Sequence, residues 1–407
     1  MNGKISVDKS KLLLYLLLYT SVDTVLFGTN SSYVFNLVPR FVAIIVIIIL
    51  MLKKPMAFIH VRKGEIVALL IMCLTVVLSG VTNSTAMPTI VTRIIMIYVA
   101  YCVTKTYKLK EFIEIFISFM YYVCLVAIFF EIIAYIIPNI IYKLPVVVNT
   151  ASKAYATLGV GSISFSTLNS ALKRANGIFW EPGAFSIYCS IAIIFALFYK
   201  KKINRKHIVI IFIGFLLAFS TTGTISMCVF LTFWILSNDK VSTQNSHKKE
   251  LLICCLMVIT CFIIWGEALG IHDLIFGKIT NGESTSVTRI ASVVNSIQII
   301  KDYPFLGIGQ NNMREFMAIY ASNTVGFELG ANPMNTNTTL FYFASYGIFF
   351  GIIFVIGLFK LSKKIGHTLF MGIGIFTTII LLFCGETFYS FFPFLLVFYG
   401  WSKQEVM

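Results

Sequence analysis

Charge is scarce in this chain. Only 12% of its 407 residues are Asp, Glu, Lys or Arg, about half the usual share of a soluble domain. A soluble fold needs charged and polar groups to clothe its surface, so this shortage excludes one. Acidic residues are the scarcer sign, 17 against 32 basic, which leaves a formal net charge of +15. Histidine is limited to five positions: His60, His207, His247, His272 and His367. The nine cysteines lie in apolar runs or at their edges, without the spacing of a disulfide framework or of a Cys/His metal site. They read as small apolar packing residues. Internal repeats, heptads and low-complexity tracts are also missing. No A-x-A site follows the first apolar run, LLLYLLLYTSVDTVLFG, which therefore reads as an uncleaved span rather than a signal peptide.

What fills the space is hydrocarbon. Hydrophobic residues make up 58% of the chain and the mean hydropathy is +0.89. A helix that crosses a bilayer needs roughly 20 apolar residues, or about 17 when flanking residues snorkel. Twelve segments qualify, at about 11–28, 37–52, 65–81, 88–104, 111–138, 182–199, 207–221, 223–237, 251–266, 337–359, 368–384 and 386–400. The expected fold is all-α: a single polytopic transmembrane domain over 1–407. The pairs around Thr222–Gly223 and Gly385 are closely spaced, and the first of them reads as two thin spans or one re-entrant pair.

Basic residues mark one side. The loops KKPMAFIHVRK (53–63), KTYKLK (105–110), KKKINRK (200–206), NDKVSTQNSHKKE (238–250) and KLSKK (360–364) are rich in Lys and Arg. The alternate loops GTNSSYVFN (28–36) and GVTNSTAM (80–87) have neither. Cytoplasmic loops carry the excess of basic residues, so the bias predicts a multi-pass protein with both termini in the cytoplasm. It also accounts for the net charge without nucleic acid as a partner. Two long stretches, about 139–181 and 267–336, then fall on the far side. A transporter usually keeps such loops short, whereas an enzyme working on that face needs them.

The second long stretch contains SVTRIASVVNSIQIIKDYP, in which Val287, Ile290, Val294 and Ile297 recur at helical spacing. Ser284, Thr285 or Ser286 can cap its start, and Pro304 lies just past its end. This predicts an amphipathic helix against the membrane face or the bundle, with Arg289 in its first turn. An arginine there opposes the helix dipole, so a counter-anion is expected.

The far-side charges are the candidates for chemistry. Arg174 stands less than two turns before the sixth span, where the charge rule disfavours a basic residue. It reads either as a solvated residue snorkelling to headgroups or as a guanidinium held for a phosphate or diphosphate. Glu181 precedes Pro182 at the head of that span, where a carboxylate suits the helix dipole. Its alternative role is as a base for an incoming hydroxyl. Arg93, Asp23, Glu131 and Glu386 lie within apolar segments, where charge is costly, and read as paired structural charges or as functional groups. Arg93 is a candidate third basic residue near the outer leaflet. GIGQNN (307–312) lacks the βαβ context of a nucleotide fingerprint and reads as a tight turn whose glycines permit close backbone approach. Only His272 among the histidines falls on the far side, so no metal is expected there.

Three motifs in order carry a resemblance. R-x-x-G-x-F-x-E-P-G appears as Arg174, Gly177, Phe179, Glu181, Pro182 and Gly183. The helix led by Arg289 runs into Asp302, Pro304, Phe305, Leu306, Gly307 and Gly309. Asn337, Leu340 and Gly347 open a late span. Together they resemble the O-antigen ligase and polymerase superfamily of membrane proteins. The resemblance spans about 174–347, and the span count fits the whole chain. It implies a GT-C-like helical fold of about 12 transmembrane helices in the bacterial inner membrane. It also implies glycosyl transfer from undecaprenyl-pyrophosphate-linked glycans on the periplasmic face, with neither metal nor other cofactor. Arg174 and Arg289 are then the pyrophosphate ligands, Glu181 the group that orients or deprotonates the acceptor, and Arg93, Gly177, Gly307, Gly309 and Asn337 further substrate-binding positions. Ligases of this kind carry His-Asn where this chain has Thr336-Asn337, which favours an O-antigen polymerase. An O-antigen ligase joining polysaccharide to lipid A-core stays the alternative, and a flippase is the alternative from another class. Membrane lipid and a chain-length regulator protein are the expected partners.

Overall fold

The structure, a computed structural model, describes residues 9–21, 23–27, 31–53, 63–149, 152–168, 173–199, 203–237, 284–324 and 335–403. The expected span at 251–266, the basic loop 238–250, His272 and the stretch 267–283 lie outside the described residues.

Long apolar runs free of breakers become helices, because a helix pairs every backbone amide inside its own segment. Among the described residues, five helices are long and apolar enough to cross a membrane: Val34–Lys53, Lys63–Thr82, Met87–Thr106, Leu109–Ile136 and Thr338–Gly366. Shorter apolar helices occupy Pro182–Phe198, Thr221–Leu236, Leu369–Phe383 and Phe392–Trp401, and Arg205–Leu217 lies beside them in sequence. Each expected span that falls on described residues contains a helix, and the chain is a polytopic, mostly helical membrane protein. The core is aromatic. Phe112 stacks on Phe116 and Tyr399, and Phe392 stacks on Phe116 and Tyr188.

Several expected boundaries move. The first span, expected over 11–28, is helical only over Lys9–Tyr19. Beyond it the chain runs irregularly, pairs Thr24 with Phe179, and donates from Val25 N to Ile178 O at 2.9 Å. Buried Asp23 accepts a 2.7 Å hydrogen bond from the Tyr188 hydroxyl. Irregular backbone persists at depth in a membrane protein only where protein satisfies it, and here it does. The final helix begins at Phe392 rather than near 386, which leaves Cys384–Phe391 as a non-helical connection, buried for the most part but with Tyr389 exposed.

The all-α expectation fails in one place. Residues 146–164 form a small antiparallel sheet in the order β1 (Val146–Val148), β2 (Ala154–Thr157), β3 (Ser162–Ser164). Val147 pairs with Tyr155, and Ala156 with Ile163. The sheet packs on the end of the Leu109–Ile136 helix through Phe130, Ala134, Ala156 and Ile163.

The amphipathic helix is Ser284–Asp302, and it is oriented against soluble-protein habit. Ile290, Val294 and Ile297 are exposed, whereas Ala291, Ser292, Asn295, Ser296 and Ile299 are fully buried. The side chain of Val287 lies outside the described residues. Lipid accepts the apolar stripe as readily as a protein core would, while polar groups need partners inside the bundle. They have them: Asn295 Nδ2 donates to Met317 O, Asn335 Nδ2 to Ser296 Oγ, and Thr336 N to Ser292 Oγ.

The turn after this helix docks on a break. Thr338–Gly366 is interrupted at Gly347, where φ is 84°, and the break frees carbonyls that the preceding turn takes up. Ile308 N donates to Ala344 O at 2.9 Å and Gly309 N to Ser345 O at 3.1 Å, while Ile348 N returns a 2.7 Å bond to Pro304 O. A side chain at Gly307 would press its Cβ to 2.3 Å from Ala344 O, and one at Gly347 to 1.8 Å from Phe305 O. The close approach expected of the GIGQNN glycines is thus made by Gly307 to the backbone of a neighbouring helix, and by Gly309 to the side chains of Asn83 and Thr85.

Candidate functional site

Arg174 is placed by what surrounds it in sequence. Ala175 N donates to Leu217 O, and both Ser162 N and Ser162 Oγ donate to Gly177 O. Asn176 Nδ2 donates to Ser162 Oγ and to Phe179 O. Gly177 has φ +57°, and Val123 and Phe185 close over its bare Cα. The strand β3 and the end of the Arg205–Leu217 helix therefore clamp residues 174–180. Arg174 Nε donates to Ala218 O at 3.2 Å, so part of its role is to cap that helix, where carbonyls carry partial negative charge. Among the described residues, this is its one hydrogen bond, and both terminal nitrogens are left over.

Arg289 arrives from the other side. Its Nη1 donates to Thr222 Oγ1 at 2.7 Å, a hydroxyl in the first turn of Thr221–Leu236. The two arginines lie close enough for their like charges to act on each other. Burial lowers the Arg174 pKa and Arg289 lowers it further, against Glu181 and Glu386, which raise it. The sequence separation between the arginines is thus closed in space, with carboxyl groups beside them.

The connection Cys384–Glu386 joins this cluster to the heads of three helices. Glu386 Oε1 would lie 2.5 Å from a Cβ at Gly183, in the first turn of Pro182–Phe198. A Cβ at Gly385 would lie 2.7 Å from Thr222 Cγ2, in the first turn of Thr221–Leu236. Thr338, at the head of Thr338–Gly366, donates to Glu386 O at 2.5 Å. Asn337, whose Oδ1 caps that helix by accepting from Leu340 N, also donates to Cys384 Sγ. Ser220 Oγ caps Thr221–Leu236 in the same way by accepting from Gly223 N. Helix N-termini present unpaired N–H groups and partial positive charge. Two arginines and three such termini in one place have the polarity that suits an anion.

Two carboxyl groups temper it. Glu181 takes the cap position of Pro182–Phe198 without a side-chain cap bond and pairs instead with Lys153, in the turn between β1 and β2. Burial would raise the Glu181 pKa, but the Lys153 ammonium, hydrogen bonds from Lys153 and Glu386, and the Arg174 charge outweigh it and hold the carboxyl below its usual range. Tyr155 steadies this edge from β2, with its hydroxyl donating to Trp180 O. Among the described residues, buried Thr336 Oγ1 beside Asn337 has no hydrogen-bond partner. Among the described residues, no three His, Cys, Asp or Glu gather as metal ligands.

Arg93 has a different setting. It is 3% exposed in the Met87–Thr106 helix. Nε and Nη2 donate to Gln310 Oε1 at 3.2 and 2.7 Å, Nε donates also to Tyr346 Oη, and Nη1 to Tyr342 Oη and Tyr389 O. The rings of Tyr342, Tyr346, Tyr389 and Phe394 lie within 6 Å of its Cζ, at 5.5 to 5.9 Å. Its donors are spent inside the protein, in tying the GIGQNN turn to two helices. Gly307 and Gly309 belong to that same turn, with their contacts at Ala344, Ser345, Asn83 and Thr85.

Lys153, Glu386 and Thr222 have no place in the candidate set read from the motifs. Only Glu386 left a usable signal, a Gly-Glu pair inside an apolar run. Set against models of known protein families and against curated proteins, the chain matches none.

Proposed function

We propose that this protein is an O-antigen polymerase, a glycosyltransferase that extends polysaccharide on undecaprenyl pyrophosphate at the periplasmic face of the bacterial inner membrane. The observation that carries the reading is the meeting of Arg174 and Arg289 at the heads of three helices, beside Glu181. A diphosphate that leaves a sugar gains negative charge as it departs. Fixed guanidinium groups and helix N-termini stabilise that charge without having to reorganise. The lipid tail stays in the bilayer, alongside the exposed stripe Ile290, Val294 and Ile297 on the helix that carries Arg289.

In this reading the growing chain on one lipid diphosphate passes to the non-reducing sugar of a new lipid-linked repeat. The acceptor hydroxyl attacks the anomeric carbon, the bond to the diphosphate oxygen breaks, and its electron pair goes to the diphosphate. The proton of the hydroxyl goes to Glu181, which Lys153 holds ionised. Both termini are cytoplasmic and the helix heads at the site face the periplasm. Thr336 where ligases carry histidine favours polymer extension over transfer to lipid A-core. Arg174→Ala tests the reading in cells: the protein should reach the membrane in normal amount while long-chain polysaccharide disappears and core capped with one repeat remains. Wild-type chain-length ladders in that variant would sink the diphosphate clamp, and bare core in a deletion strain would point to a ligase.

A further inference from the structure

Among the described residues, Glu386 is the one carboxyl of the site to which the reaction gives no role. It is buried, although a charged group at that depth is costly. Its carboxyl lies against the first turn of Pro182–Phe198, in the space that Gly183 leaves by having no Cβ. Glu181 stands at the cap position of that same helix, and the two carboxyls lie close enough to act on each other. Its main chain is fixed independently, with Glu386 O accepting from Thr338 Oγ1. The backbone thus presents this side chain to Glu181 by three separate devices: a bare glycine, a threonine anchor and a non-helical connection.

A hydrogen bond between two carboxyl groups needs a proton on one of them. Glu181 faces Lys153 and Arg174 and is the ionised member. The proton therefore sits on Glu386, which donates. We propose that Glu386 is a positioning residue for glycosyl transfer: its protonated carboxyl holds the Glu181 carboxylate in place and leaves a Glu181 lone pair to take the acceptor proton. The proposal rests on the glycosyl-transfer reading above. In the step itself, the acceptor O–H bond breaks and its proton joins Glu181 as the new sugar–oxygen bond forms. Glu386 keeps its own proton throughout. Glu181 then releases its proton to water at the partly exposed edge where Lys153 lies. Among the described residues, the charged and titratable groups that face the pair are Lys153 from the β1–β2 turn, Arg174, Arg289, and Tyr155 from β2.

The test pairs Glu386→Gln with Glu386→Leu in full-length protein reconstituted in vesicles. The substrate is undecaprenyl-diphosphate-linked repeat units extracted from the strain that carries the gene. The glutamine amide still donates to Glu181, so Glu386→Gln should keep its rate within about threefold and its acid limb unmoved. Leucine cannot donate. Glu386→Leu should lose about tenfold or more in kcat with KM little changed, and the acid limb should move to higher pH because the charged form of Glu181 loses a stabilising bond. The infrared carboxylic-acid C=O band supplies a readout that needs no turnover. The wild-type minus Glu386→Gln difference spectrum should contain that band, and this holds even if the leucine variant fails to fold. An absent band, or a glutamine variant as slow as the leucine one, overturns the proposal. A band present in wild-type protein that makes no polymer leaves the carboxyl pair standing and removes the glycosyl-transfer reading instead.

Discussion

The environment of Arg93 and that of Arg174 and Arg289 differ in what their neighbours leave undone. Arg93 gives its donors to Gln310, Tyr342, Tyr346 and Tyr389, under four aromatic rings. Arg174 and Arg289 each make one hydrogen bond to a described residue, to Ala218 and Thr222, and they crowd each other's charge. A guanidinium with nearly all its donors spent is a structural bolt, because water and ligand have little left to bind. Two under-saturated ones of like charge, set at helix N-termini, hold unfavourable electrostatic energy that an anion would relieve. Burial alone does not separate the cases. The count of spent donors does.

The largest expected effects come from exchanging the two roles. Arg174→Ala and Arg289→Ala should each lower polymer formation by about 10²-fold or more, with apparent thermal midpoints close to wild type. The lost bond to Ala218 or Thr222 is worth about 1 kcal/mol, and relief of repulsion offsets it. Arg93→Ala should do the opposite. It takes the guanidinium's donors away from Tyr389 O and Gln310 Oε1 and leaves Gln310 to Tyr346 alone, and a buried acceptor left unpaired costs about 1–3 kcal/mol. The protein should then melt early in detergent and accumulate poorly. Arg93→Lys should not restore it, since a single ammonium cannot span the same acceptors as a planar fork. Thermal melts and polymer assays on the same preparations check the comparison. An Arg93→Ala protein that is stable but inactive would erase the distinction.

Next in size is Gly183→Ala. A methyl group there meets Glu386 Oε1 at 2.5 Å, well inside contact distance, so the carboxyl must shift from its place beside Glu181. The helix itself gains slightly, because alanine is the better helix former by about 1 kcal/mol. The expected outcome is activity down by about tenfold in a protein no less stable. Comparing its rate–pH profile with that of Glu386→Leu checks the cause. The two should share an upward-shifted acid limb.

A smaller shift is expected from Lys153→Met. Glu181 is held below the usual carboxylate range, foremost by Lys153. A base with a depressed pKa stays ionised to lower pH, and its activity fades only as pH falls through that lowered value. Without Lys153 the pKa rises, so the loss should begin at higher pH. Lys153 is half exposed, so salt screens the pair and the displacement should shrink at high ionic strength. An acid limb that does not move would detach Glu181 from proton transfer.

How much of this could be read from residues alone follows the physics of each signal. Hydropathy finds spans because lipid imposes the same demand on every segment, so Leu109–Ile136 and Met87–Thr106 were plain. Interruptions were not plain. The helix stop at Tyr19 and the break at Gly347 depend on partners distant in sequence, Ile178 and Pro304, that take up the freed backbone groups. Strands of three or four residues, β1 to β3, are too short to show alternation. The arginines stood out because the topology expected from the loop charges puts them on the side where the charge rule disfavours basic residues. Lys153 did not, since a lone lysine in a long loop looks solvated. Glu386 was visible as a costly charge, but its partner Glu181 lies in another part of the chain and only the fold brings them together. The stripe on Ser284–Asp302 was legible, yet periodicity cannot say whether lipid or protein covers it.

That stripe supplies the smallest effects and a last way to sharpen the contrast between the arginines. Arg93 is held by its own hydrogen bonds, whereas Arg289 is held by its helix, which is tied down through Ser292, Asn295 and Ser296. Asn295→Leu removes the donor to Met317 O and should cost about 1–3 kcal/mol, with activity a few-fold lower as Arg289 loses its setting. Ile297→Ala, on the exposed side, should change stability by less than about 0.5 kcal/mol, because lipid replaces the lost contacts. Cysteine at 297 should react with a membrane-permeant maleimide and resist a charged one, as a lipid-facing position requires. Equal reactivity toward both would place the stripe in water, and the helix would then need a partner to cover Ile290, Val294 and Ile297.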